Sequence, residues 1–185
     1  MTTTSPTADV RVPAKLAHVV LRTARYDETV AWYAAVLGAH VVFANPMLTF
    51  LTYDGEHHRI AVINIPGLPE ASPAAGVDHI AFSFAALGDL LHTYRRLRDA
   101  GIRPYWCINH GPTTSLYYRD PNGVQIELQI DNFASHEALA EWMRSGAFRH
   151  NPIGVEFDPD VLSARLERGD PLDELVRQGS APPAA

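Results

Sequence analysis

Apolar and polar positions change period along the chain in an order that occurs twice. Leu16 to Arg22 is a short β-branched run suited to a strand. Asp27 then offers a helix N-cap, Val30, Tyr33, Ala34 and Leu37 recur at helical spacing, and Gly38 stands where a terminating glycine belongs. Val41 to Ala44, Leu48 to Tyr53 and Arg59 to Ile65 read as three further strands, divided by the turn signals Asn45-Pro46 and Asp54-Gly55. Pro66 to Gly76 reads as a linker, after which the order repeats. Val77 to Phe84 predicts a strand, Leu87 to Ala100 a helix closed by Gly101, and Arg103 to Ile108, Thr114 to Tyr118 and Val124 to Ile130 three strands. His18 and His79 lie 61 residues apart, as do Tyr33 and Tyr94, so the halves share an architecture although few other residues match.

After Ile130 the pattern turns helical, over Ser135 to Arg144, Pro159 to Arg168 and Leu172 to Val176. Residues 1–14 and 179–185 are polar or small and punctuated by proline, which predicts frayed tails. The expected fold is α+β. Two βαβββ units, 15–66 and 76–132, form a curved eight-stranded barrel-like sheet within a domain over 15–132, and a helical C-terminal extension follows over 133–178.

Composition narrows the functional classes. With 185 residues, 46% hydrophobic and 19% charged, the chain reads as one folded soluble domain, neither disordered nor fibrous. A net charge of -6 without a Lys/Arg cluster argues against a nucleic-acid partner. The single cysteine, Cys107, rules out an intramolecular disulfide and a cysteine-based zinc site, and fits a reducing compartment. No apolar run approaches the ~20 residues that span a bilayer, and the N-terminus has no apolar signal core, so a cytoplasmic protein with no membrane partner is expected. Nine histidines in a lysine-poor chain draw attention to metal or acid–base chemistry.

Strand alternation places that chemistry. In the last strand of the second unit Val124, Ile126, Leu128 and Ile130 form one face, and Gln125, Glu127 and Gln129 the other. The apolar face belongs under the helices, which turns Glu127 to the concave side, where a carboxylate needs a partner. An arginine would serve, and a lone strand histidine is more often a core residue bonded to backbone. His18 and His79, however, hold related positions on equivalent strands, and two imidazoles with one carboxylate make up the facial set of non-haem Fe(II) oxygenases.

The stretch from Ile108 to Glu127 carries a more specific pattern. His110 is followed by a spacer, the aliphatic-Tyr pair Leu116-Tyr117, the acidic-Pro-x-Gly turn Asp120-Pro121-Asn122-Gly123, and Glu127. In this the chain resembles the vicinal oxygen chelate (glyoxalase/bleomycin resistance/dioxygenase) superfamily, and within it the one-domain type I extradiol ring-cleaving dioxygenases. The resemblance covers about Leu16 to Asn132. It implies that His18, His79 and Glu127 bind Fe(II), with Mn(II) acceptable to the same donors. It also implies that His58, in Glu56-His57-His58-Arg59-Ile60-Ala61, faces the oxygen side of the metal as an acid–base group. Tyr117 and His110 match the pair that hydrogen-bonds the catechol oxygens. The implied substrates are a catechol and O2, with no flavin, nicotinamide or reductase, and one-domain members imply a homo-oligomer.

Two other functions compete. A glyoxalase-like isomerase or thiol transferase uses a fourth ligand on the last strand of the first unit, where this chain has Val62 and Asn64 and only Glu56 nearby. A metal-free binding module would need none of the three ligands. Trp106, Tyr105, Phe50 and Phe82 are candidates for an aromatic pocket, while His40, His92, His136 and His150 are assigned to the surface.

Overall fold

The computed structural model describes residues 13–69 and 76–183. Most of the expected N-terminal tail and the middle of the linker lie outside the described residues. The chain divides near Leu68 into two compact units.

The first unit comprises β1 (Val19–Thr23), α1 (Tyr26–Leu37), β2 (His40–Asn45), β3 (Leu48–Thr52) and β4 (Ile60–Asn64). Its strands lie in the order β1-β4-β3-β2, with β1 parallel to β4 and the remaining pairs antiparallel. α1 packs against β4, with Tyr33 and Val36 fully buried. The helix begins at Tyr26, ahead of the expected cap Asp27, because tertiary and local bonds fix its start. The Tyr26 hydroxyl lies 2.6 Å from Thr49 Oγ1, and Thr29 Oγ1 donates to the Arg25 carbonyl at 2.7 Å. Asp27 and Glu28 instead occupy the first turn, where the helix dipole favours acids. Gly38 closes the helix with φ 63°, a left-handed conformation open to glycine at little cost.

The second unit repeats the order with β5 (His79–Ser83), α2 (Leu87–Asp99), β6 (Trp106–Asn109), β7 (Thr113–Arg119) and β8 (Gln125–Asp131). The extension adds α3 (His136–Arg144), α4 (Ala147–His150), β9 (Val155–Glu156), α5 (Pro159–Glu167) and α6 (Leu172–Leu175). β5 runs parallel to β8, and β7 pairs antiparallel to β8 with Leu116 opposite Leu128 and Tyr117 opposite Glu127. α2 packs on β8, and Leu90, Leu91, Leu97, Ile126 and Leu128 are fully buried. Each such side chain contributes roughly 1.5–3 kcal/mol through burial.

The two βαβββ units are present as expected, and two features differ from expectation. The described strands form separate sheets of four and five, and the fifth strand of the second sheet is β9, so the extension is not wholly helical. β9 covers the outer edge of β6, whose backbone groups would otherwise lack partners. The chain also does not fray from Gly179. Ala181 is fully buried and its carbonyl accepts from the Asp158 amide at 2.8 Å, while Arg165 Nη1 holds the Ser180 carbonyl at 2.7 Å. Among the described residues no helix is long and apolar enough to cross a membrane.

Candidate active site

β8 carries the central carboxylate of the second unit. Glu127 is 4% exposed, on the face opposite Ile126 and Leu128, and sits in register with Ala81 of β5 and Tyr117 of β7. Its partner is not an arginine: Glu127 Oε2 lies 3.0 Å from His79 Nε2. His79 Nδ1 in turn lies 2.8 Å from Asp78 Oδ2. An ionised carboxylate only accepts, so Nδ1 carries the hydrogen and a neutral His79 presents a lone pair at Nε2. Two lone-pair atoms 3.0 Å apart require a proton or a cation between them. This donor pair, oriented from behind by Asp78, therefore suits a metal ion.

Tyr117 completes the group. Its ring stands edge-on to His79, with centroids 5.4 Å apart, and its hydroxyl lies 3.1 Å from His110 Nε2. Burial and then the Glu127 carboxylate push the phenol above its ordinary range, so it stays protonated and able to donate. Tyr118 faces the other way, fully buried, as strand alternation requires. Trp106 lies beside both members of the pair, 5.0 Å from the Tyr117 ring and 5.7 Å from that of His110. Cys107 plays no nucleophilic part, since burial raises its thiol to about 12.

The first unit gathers His18 and His58. His18 is exposed just before β1, in a segment held by Arg59 Nη1, which donates to the Leu16 and Ala17 carbonyls at 2.8 and 3.0 Å. His58 is 7% exposed and stacked on Phe50 at 4.2 Å, with the His18 ring centroid 4.3 Å away. Its Nδ1 lies 2.5 Å from that of the exposed His57. Burial, then His18 and His57, lower its pKa, which leaves it a neutral imidazole.

The sequence-predicted residues thus fall into two groups, His79, Glu127, Tyr117 and His110 in the second unit and His18 with His58 in the first. Among the described residues no three His, Cys, Asp or Glu side chains form one metal-binding cluster. β4 carries no acid, and Glu56 is paired with Lys15, which lowers its pKa. His40, His92, His136 and His150 are exposed. Sequence reasoning missed Asp78, although the Asp-His pair was there to read. It also missed the Ile153 carbonyl, 2.5 Å from His110 Nδ1, and Glu156, whose Oε1 accepts from Trp106 Nε1 at 2.9 Å. Backbone contacts across more than forty residues leave no local signal.

Comparison with known proteins adds relatives to this geometry. The family described as Glyoxalase/Bleomycin resistance protein/Dioxygenase superfamily matches residues 15–128. Biphenyl-2,3-diol 1,2-dioxygenase 3 of Rhodococcus globerulus is 47% identical over 173 residues, 92% of this chain and 91% of the relative. Biphenyl-2,3-diol 1,2-dioxygenase 2 of the same organism is 45% identical over 88% of this chain and 86% of its own length. The crystal structure of a lactoylglutathione lyase from Agrobacterium tumefaciens shares the fold, with TM-score 0.53 and 19% identity, over 65% of this chain and 96% of the lyase.

Proposed function

The chain belongs to the Glyoxalase/Bleomycin resistance protein/Dioxygenase superfamily, and we propose that within it the protein is an extradiol dioxygenase that opens the ring of a catechol with O2 beside the diol. The observation that carries this reading is the 47% identity to a biphenyl-2,3-diol dioxygenase along 92% of the chain. The Tyr117 and His110 pair walled by Trp106 gives an aromatic diol a place to lie.

His18, His79 and Glu127 would hold Fe(II), and the His79–Glu127 pair supports this with a lone pair and a carboxylate oxygen 3.0 Å apart. When bound, Fe(II) supplies one centre where diol and O2 meet and through which electrons pass between them. The protein does the rest. Asp78 keeps the His79 hydrogen on Nδ1 and its Nε2 free. The Tyr117 hydroxyl accepts from a diol hydroxyl while its own hydrogen is directed to His110 Nε2, 3.1 Å away, so a proton can pass from the diol to His110. His58, held by its stack on Phe50, is a neutral imidazole able to accept or return a proton on the oxygen side. Both oxygen atoms enter the opened product, so the electrons for reducing O2 come from the diol.

The isomerase reading is weaker because β4 offers no acid and Glu56 is paired with Lys15. The test is to load the protein anaerobically with Fe(II), measure bound metal, then admit oxygen with a panel of catechols that includes a 2,3-dihydroxybiphenyl. A yellow ring-opened product is expected. Bound iron with no catechol turned over would move the assignment to isomerase or transferase chemistry, and a protein that retains no metal would leave a binding module.

Asp78→Ala is expected to weaken metal binding by about 10- to 100-fold through loss of the fixed His79 tautomer. Asp78 is exposed, so its melting temperature without metal should not change. Titration against a competing chelator reads the affinity, and an unchanged value would remove Asp78 from the site.

A further inference from the structure

The extension reaches the proposed substrate-binding pair directly. Gly154, with φ 119°, lies so close to β6 that an added Cβ would stand 2.4 Å from the Asn109 carbonyl oxygen and 2.8 Å from His110 Cα. The Asn151 side chain shapes this turn, accepting from the Gly154 amide at 2.9 Å and donating to its carbonyl at 2.7 Å. The approach places the Ile153 carbonyl 2.5 Å from His110 Nδ1, and three residues on Glu156 holds the Trp106 indole at 2.9 Å. On its other side the same β6–β7 turn is covered by α3: a Cβ at Gly111 would meet the Trp142 ring at 2.4 Å.

We infer that the segment Asn151–Glu156 is a positioning device for ring cleavage, setting His110 through the Ile153 carbonyl and Trp106 through Glu156. A carbonyl only accepts, so His110 must carry its hydrogen on Nδ1, and the neutral ring then presents Nε2 as an acceptor aimed at the Tyr117 hydroxyl. Without that bond the other tautomer would direct a hydrogen at Tyr117 and the proton path would reverse. Trp106, fixed by Glu156, walls the same pair.

The inference rests on His110 acting in the proposed reaction, and the experiment separates the two. Gly154→Ala, Glu156→Ala and Glu156→Gln are made singly and with His110→Ala in the full-length, Fe(II)-loaded enzyme. Gly154→Ala should lower kcat by about 100-fold with little change in KM, the cost of a misplaced catalytic group. It should cost nothing more once His110 is alanine. Glu156→Gln keeps an acceptor for Trp106 and should restore most of what Glu156→Ala loses. In the metal-free protein, imidazole nitrogen resonances should report His110 as the Nδ1–H tautomer in the wild type and as a mixture in Gly154→Ala.

Losses that multiply in the double variant, or an unchanged His110 tautomer in Gly154→Ala, overturn the inference. Wild-type turnover by His110→Ala overturns the role of His110 instead. If Gly154→Ala does not fold, the Glu156 pair decides: equal losses in the Ala and Gln variants, or none in either, refute the device.

Discussion

Glu127→Gln is expected to leave the protein folded while removing metal binding and ring cleavage together, with turnover down by more than about 1000-fold. An outer partner of a metal ligand is worth about 10- to 100-fold, and a charged ligand itself should exceed that. The substitution keeps the side-chain volume, so β8 and its register with β5 and β7 have no reason to move. It removes the carboxylate that faces His79 Nε2 at 3.0 Å. Stability separates this outcome from simple damage. In the metal-free protein the amide of the variant can donate to the His79 Nε2 lone pair that Glu127 faces, so the buried position keeps a hydrogen-bond partner. The metal-free variant should therefore melt no lower than the metal-free wild type. Added Fe(II) at a thousand times the dissociation constant should stabilise the wild type by about 4 kcal/mol and the variant not at all. Full metal content with turnover within tenfold of wild type would remove Glu127 from the site.

Local signals account for what the sequence made legible. Alternation from Val124 to Ile130 separated Glu127 from Leu128 because strand period is a backbone property. Gly38 and Gly101 marked helix ends through their tolerance of positive φ. The helix start at Tyr26 was misplaced because its hydroxyl is anchored to Thr49, a bond that no local pattern announces. β9 was missed because two residues have no period, and its existence depends on the open edge of β6. Ala181 was read as tail because small residues carry no hydrophobic signal, although the Asp158 amide fixes its carbonyl. The site divides the same way. The residue types at His79, Tyr117 and Glu127 were readable, as was Asp78 beside His79, while the supports of His110 and Trp106 arrive from the extension, across more than forty residues, through the Ile153 carbonyl and the Glu156 side chain.

Leu128→Ala is expected to destabilise the protein by about 2–5 kcal/mol, the cost of deleting a buried leucine that leaves a cavity. Leu128 is fully buried, opposite the equally buried Leu116, on the face of β8 that α2 covers. For a chain of this length each kcal/mol moves the melting temperature by about 2–4 °C, so a fall of roughly 4–20 °C is anticipated. Gln129→Ala, next along the strand and half-buried on the opposite face, should change stability by less than about 0.5 kcal/mol. Leu128 neighbours Glu127 in sequence, yet the two point to opposite faces of one strand. Metal affinity measured well below the melting transition should therefore stay within about threefold of wild type, because removing a methyl cluster from the helix face leaves the Tyr117–Glu127 register intact. A tenfold loss of affinity in the folded variant would mean that the core face and the ligand face are coupled through the strand. The site would then depend on packing density as well as on ladder register.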